Sequence, residues 1–115
     1  MPAASTARRQ SIRNLNDGFR WWPKPNSDQW LLTRGVFDLG PEFVALAIEQ
    51  VRTFDMFDAD NDPYGEHDFG SFNLAGQHLF WKIDYYDRTR CAGSPNPADP
   101  FCTVRVMTIM LASEY

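Results

Sequence analysis

Phe69-Gly70-Ser71-Phe72-Asn73-Leu74-Ala75-Gly76-Gln77-His78-Leu79-Phe80-Trp81-Lys82-Ile83-Asp84-Tyr85-Tyr86 is the stretch that decides the fold. Two extended runs, 69–74 and 78–86, are broken by Ala75-Gly76-Gln77, which reads as a β-hairpin. Side chains alternate along a strand, so Leu79, Trp81, Ile83 and Tyr85 share one face. His78, Phe80, Lys82, Asp84 and Tyr86 share the other. Both faces are partly apolar, which predicts a central strand covered on both sides.

On the C-terminal side, three prolines and Gly93 make residues 88–100 a long irregular loop. The Val, Thr, Ile and Met content of 103–111 then predicts a closing strand. A helix capped by Asp99 with Pro100 at its first position is the competing reading. On the N-terminal side, Gly40-Pro41-Glu42 predicts a helix start, with an apolar stripe of Phe43, Leu46, Ala47, Val51 and Phe54 behind it. Trp30-Leu31-Leu32-Thr33 predicts a short strand that Arg34-Gly35-Val36-Phe37 extends.

Residues 5–20 predict a first amphipathic helix, with Ser5 as its N-cap and Ile12, Leu15 and Phe19 at helical spacing. Arg8, Arg9, Arg13 and Arg20 take its polar side. Trp21-Trp22-Pro23-Lys24-Pro25 ends it. The order predicts an α+β fold: an antiparallel sheet of about four strands with two helices packed on one face. Residues 1–115 form a single domain, with 1–10 a candidate mobile N-terminus.

A hydrophobic fraction of 43% and an aromatic fraction of 15% fit a folded globule and exclude a disordered tail. No apolar run approaches the ~20 residues of a membrane span. The N-terminus has charge but no apolar h-region behind it, so a cytoplasmic location is expected. Cys91 and Cys102, with ten residues between them, are then expected as free thiols; spacing alone does not decide whether they pair.

The net charge of −4 conceals a polarity. Residues 1–35 carry six basic and two acidic side chains, residues 36–70 nine acidic and one basic. Six carboxylates fall in the fourteen residues from Asp55 to Asp68, namely Asp55, Asp58, Asp60, Asp62, Glu66 and Asp68, and His67 sits among them. Such a run is kept when it is solvated, binds a cation, meets a basic partner or pairs with the basic helix of its own chain.

Several blocks are familiar as sequence. Ile12-Arg13-Asn14-Leu15-Asn16-Asp17, Leu32-Thr33-Arg34-Gly35-Val36, Asp60 through Gly70, Phe80 through Asp87 and Thr108 through Tyr115 resemble a family of small alphaproteobacterial proteins known as a domain of unknown function. The resemblance runs from about residue 11 to the end of the chain. It implies a setting on plasmids and other mobile elements, and no assigned chemistry. The family pattern usually lacks cysteines, so the resemblance implies no role for Cys91 or Cys102.

Chemical constellations are partial. Asp58-x-Asp60-x-Asp62 matches the start of a calcium loop, but Pro63 falls where glycine is required and Phe69 where glutamate is. Restarting at Asp60 places Gly65 correctly, yet puts Tyr64 and Ser71 at ligand positions. A looser divalent-cation site from Asp60, Asp62, Glu66, His67 and Asp68 stays open. A zinc site from His67, His78, Cys91 and Cys102 lacks the usual close pairs.

Glu66-His67-Asp68 offers a carboxylate-flanked imidazole, to which Asp84 and Asp87 would be added only by the fold. No nucleophile elbow, phosphate loop or His-Glu-x-x-His accompanies it, and a turn-capping role for His67 is the simpler reading. Arg8, Arg9, Arg13, Arg20, Trp21, Trp22 and Lys24 could engage phosphates and bases, but the chain is acidic and lacks a reader motif, which argues against direct nucleic-acid contact.

The reading that results is a non-enzymatic binding protein, without a catalytic residue or required cofactor. Asp55, Asp58, Asp60, Asp62, Glu66 and Asp68 would meet a basic protein partner. The mobile-element setting suggests an inhibitor of bacterial nucleic-acid-targeting or defence machinery. The alternative is a metal-dependent hydrolase built on residues 58–68.

Overall fold

The computed structural model describes residues 2–23 and 29–115. Helix α1 (Pro2–Trp21) precedes strand β1 (Trp30–Leu32), a single turn of helix α2 (Arg34–Phe37) and helix α3 (Pro41–Arg52). Strands β2 (Phe69–Leu74), β3 (Gln77–Tyr86) and β4 (Val104–Leu111) follow, with a 3-10 turn at Ala112–Glu114. The strands form one sheet in the order β1-β4-β3-β2. This is an α+β fold with a mostly antiparallel sheet.

The hairpin sets the register. Phe69 pairs with Lys82 and Leu74 with Gln77, so the turn is two residues, Ala75 and Gly76, both at positive φ (50° and 79°). That is the backbone a two-residue hairpin needs to match strand twist. β4 pairs antiparallel with β3, Trp81 opposite Ile109 and Tyr85 opposite Arg105, which settles Val104–Leu111 as strand, one residue short of the expected start at 103. β1 departs from the expected antiparallel pattern: it runs parallel to β4, with Trp30 opposite Met107. The chain between them crosses over through the helices, as a parallel connection requires.

The expected extension of the first strand through Phe37 is wrong. Thr33 is extended, and the Phe37 amide then bonds back to the Thr33 carbonyl, turning the chain into α2. The Glu114 carboxylate holds this corner, accepting from Thr33 Oγ1 (2.6 Å), Gly35 N (3.1 Å) and Leu111 N (2.9 Å). A Cβ at Gly35 would lie 2.7 Å from that carboxylate, so any other residue there would displace the Glu114 side chain from the corner.

α3 begins at Pro41, as the Gly-Pro-Glu signal predicts, with Gly40 at φ 98°. Its buried side is Ala47 and Val51, with Phe43, Val44 and Ile48 packed against the core. Leu46, expected in that stripe, is 56% exposed; helix rotation about Ala47 carries it outward. α1 starts at Pro2, so Ser5 lies inside the helix and is not its cap. The helix ends at Trp21 before Pro23, while the expectation for Lys24 and Pro25 falls outside the described residues.

Trp30, Val36, Ala47, Val51, Leu79, Trp81, Ile83, Met107 and Ile109 form the core, with Phe19 packed on it. All three helices therefore meet the Leu79–Trp81–Ile83 face. The other face is the one that Phe80, Lys82, Asp84 and Tyr86 share with Met110, Thr108, Val106 and Val104 of β4. It carries Val106 and Met110, which are buried, and an aromatic cluster of Phe69, Phe80 and Tyr115 with ring centroids 5.3–6.1 Å apart. Gly70 lets Trp81 lie flat beneath β2: a Cβ there would meet the indole nitrogen and come within 2.8 Å of Phe54 Cζ. Among the described residues no helix is long and apolar enough to cross a membrane.

Candidate functional site: an acidic turn clamped to the first helix

The acidic segment leaves α3 at Thr53 and enters β2 at Phe69. Asp58 opens it by accepting the amides of Asp60 (2.9 Å) and Asn61 (3.0 Å), an Asx turn. Asp62 nucleates the second bend. Its buried Oδ1 accepts the amides of Glu66 (3.0 Å) and His67 (3.1 Å). A carboxylate enclosed by its own backbone donors is organising the loop and is not available to a partner.

His67 is held with φ 56°, the left-handed region, which costs a non-glycine residue of order 1 kcal/mol. Its surroundings fix it there. The imidazole stacks on Phe57 at 3.8 Å with the planes 2° apart. Its Nδ1 shares a hydrogen bond with Asp17 Oδ1 at 2.8 Å, and Nε2 lies 3.6 Å from Asp62 Oδ2. The histidine thus joins the acidic turn to α1.

Arg20 makes the second joint. It is 4% exposed, and its Nη1 donates to the Val51 (2.8 Å) and Phe54 (3.0 Å) carbonyls, closing the C-terminal end of α3. Nη2 donates to Asp17 at 3.0 Å. The guanidinium also lies over Trp81 (4.9 Å) and Phe57 (5.2 Å). Burial lowers its pKa, and Asp17 opposes that change.

Asn16 makes the third joint. Its Nδ2 donates to the Glu66 carbonyl (3.0 Å) and to Tyr85 Oη (2.8 Å), while Arg105 Nε donates to its Oδ1 (2.7 Å). Tyr85 Oη in turn donates to Glu66 Oε1 at 3.0 Å. Burial and the adjoining carboxylates raise the Tyr85 pKa, so the phenol stays a donor. Asp68 lies behind this chain. Burial, with repulsion from Glu66 next, pushes its carboxyl up to about 6.

The sequence-predicted residues therefore divide. Asp62, Glu66, His67 and Asp68 turn inward, whereas Asp55, Asp58 and Asp60 are exposed. Met56 (74% exposed) and Tyr64 (66%) are the large hydrophobic groups of the same segment left exposed. A cleft of about 520 Å³ opens between the segment and α1, lined by Asp55, Phe57, His67, Asp17, Arg52 and Trp21. Arg52 lies 4.2 Å over the Trp21 ring and pairs with Glu49.

The looser cation set does not assemble. Asp62 and His67 approach each other, but among the described residues no group of three or more His, Cys, Asp or Glu side chains is placed to hold a metal ion. The zinc set is dispersed as well. His78 bonds Asn73 on the open side of the hairpin, and Cys91 and Cys102 bond separate carbonyls with no disulfide between them. Asp84 pairs with Lys82 and Asp87 accepts the Thr89 and Cys91 amides, so neither joins His67.

Asn16, Asp17 and Arg105 were not anticipated as site residues, and Arg20, expected on the polar side of α1, is buried instead. A signal was present, since Ile12, Asn16 and Arg20 recur at intervals of four on one helix face. Polar groups inside an apolar stripe are informative because burying them demands partners.

Fold and site define a class: a small α+β domain that clamps an acidic turn onto its first helix through a buried polar junction. The chain belongs to the family described as Protein of unknown function (DUF3768), whose model matches residues 32–114. The matched span contains the acidic turn, the hairpin and β4. No curated protein and no solved structure matches the chain.

Proposed function

We propose that this is a binding protein that contacts a basic protein partner through the outer half of its acidic segment. The observation that supports this reading is the sorting of the six carboxylates. Asp62, Glu66 and Asp68 are absorbed by the fold, while Asp55, Asp58 and Asp60 remain exposed beside Met56 and Tyr64. Acidic groups around exposed aromatic and methionine side chains provide steering at long range and anchors at short range.

The mobile-element setting implied by the resemblance narrows the partner to bacterial nucleic-acid-targeting or defence machinery, which presents basic channels. The protein acts there as a local inhibitor, since its carboxylates are concentrated in one turn rather than spread along a phosphate-like track.

The test is capture from host lysate by the wild type and by an Asp55→Lys/Asp60→Lys variant. Neither of these carboxylates holds the turn together, so the variant keeps its melting temperature and loses the partner. Retained capture would sink the reading. A strong rise in melting temperature with magnesium, manganese or calcium would instead favour the metal-dependent hydrolase.

A further inference from the structure

Arg105 is a buried cation without a counterion in contact among the described residues. It is 6% exposed, and no carboxylate forms an ion pair with it among the described residues. Its Nε donates to Asn16 and its Nη2 to the Pro97 carbonyl, and the guanidinium lies 5.2 Å from the Tyr85 ring centroid. Glu66 reaches it only through Tyr85 and Asn16. Burial draws the guanidinium pKa down, with Tyr85 and Glu66 opposing. A charge desolvated this far is costly unless its remaining donors are used.

One nitrogen is unused. Nη1 has no hydrogen-bond partner among the described residues, and it is not among the buried atoms sealed without one. Arg105 lines a pocket of about 260 Å³ together with Leu15, Phe19, Gln29, Pro100 and Thr103. The pocket lies on the β1–β4 side of α1, apart from the acidic turn. Thr103 Oγ1 is committed to the Asn96 carbonyl at 2.9 Å and to Ser94. Gln29 Nε2 donates to the Arg105 carbonyl at 3.2 Å, and Leu15, Phe19 and Pro100 are apolar, so the pocket has one cationic donor, one amide and several apolar walls.

We propose that this pocket binds a small monocarboxylate with an apolar body. Arg105 Nη1 takes the carboxylate, and Leu15, Phe19 and Pro100 enclose the hydrocarbon or aryl part. A guanidinium N–H to a carboxylate is a charge-assisted bond and supplies a counterion. The volume suits a single ring or a short chain, below the size of drug-like or nucleotide ligands. A strongly hydrated anion would gain the same donor but lose its water against the apolar walls.

Titration of the intact chain with benzoate tests this, followed by the Arg105 Nε–Hε resonance and by melting temperature. Benzyl alcohol and inorganic phosphate serve as matched probes. Benzoate is expected to saturate and to bind at least about tenfold more tightly than either. Equal binding of benzyl alcohol would reduce the site to an apolar dent, and equal binding of phosphate would remove the role of the walls; either result overturns the assignment.

Arg105→Gln is expected to abolish binding but endangers the fold. Leu15→Trp therefore provides the second variant, because it fills the pocket and leaves the Asn16 and Pro97 bonds in place. It is expected to fold and to lose benzoate. Undiminished benzoate binding by folded Leu15→Trp would place the ligand elsewhere.

Discussion

Replacing Asp68 by asparagine is expected to stabilise the protein near neutral pH and not in acid. Asp68 sits behind the Glu66–Tyr85–Asn16 chain, where burial, and next the Glu66 charge, raise its carboxyl from 3.8 to about 6. The folded state therefore binds this proton more tightly than the unfolded chain. Its contribution to stability is complete below pH 3.8 and is lost as pH rises through about 6.

Above that window the fold carries a charge it disfavours. A displacement of this size corresponds to ~3 kcal/mol if fully expressed, and partial access to water reduces it to about 1 kcal/mol. Asparagine keeps the shape and the acceptor without the charge, and the backbone bond from Ile83 N to the Asp68 carbonyl (2.8 Å) does not involve the side chain. Urea unfolding at pH 7.5 and pH 4, read from the fluorescence of the four tryptophans, should show Asp68→Asn about 1 kcal/mol more stable at pH 7.5 and nearly equal at pH 4. A variant less stable at pH 7.5, or equally shifted at both, would refute the placement of Asp68 in a desolvated, carboxylate-rich site.

Three further outcomes follow from the same contacts. Arg20→Met keeps most of the side-chain packing but strands the Val51 and Phe54 carbonyls, so denaturant unfolding should show a loss of about 2–4 kcal/mol. Gly70→Ala drives a methyl into Trp81 and Phe54; a loss of at least about 1–3 kcal/mol and a change in near-UV circular dichroism are expected. Glu114→Gln weakens the corner that holds Thr33, Gly35 and Leu111. Its bond with Thr33 lowers the Glu114 pKa first, with backbone bonds adding to that. The contribution is therefore present at neutral pH and lost as pH falls through the folded value, so wild type and variant should converge in melting temperature in strong acid.

The hairpin, the Gly-Pro helix start and the α+β class were legible because each rests on a local rule. Alternation fixed the inward face of β3, including Tyr85, and Ala75-Gly76 fixed the turn. Where local signals failed, long-range contact had overridden them. Val36 and Phe37 read as a strand continuation, but Glu114, 79 positions beyond Gly35, bends them into a helical turn. Leu46 fitted an apolar stripe by spacing, yet the packing of Ala47 against the sheet selected a neighbouring face.

The acidic run shows the same division in the candidate site. Its charge count, its turn residues and its position between α3 and the hairpin were present in the residues themselves. Which carboxylates face outward was not, because Asp62 turns inward through amides that only the folded loop brings together. Composition determined that this chain would carry a concentrated negative turn within an α+β domain. Tertiary structure alone decided that half of that charge is internal, since the amides that enclose Asp62, the Tyr85 hydroxyl that reaches Glu66 and the burial of Asp68 exist only once the chain has folded.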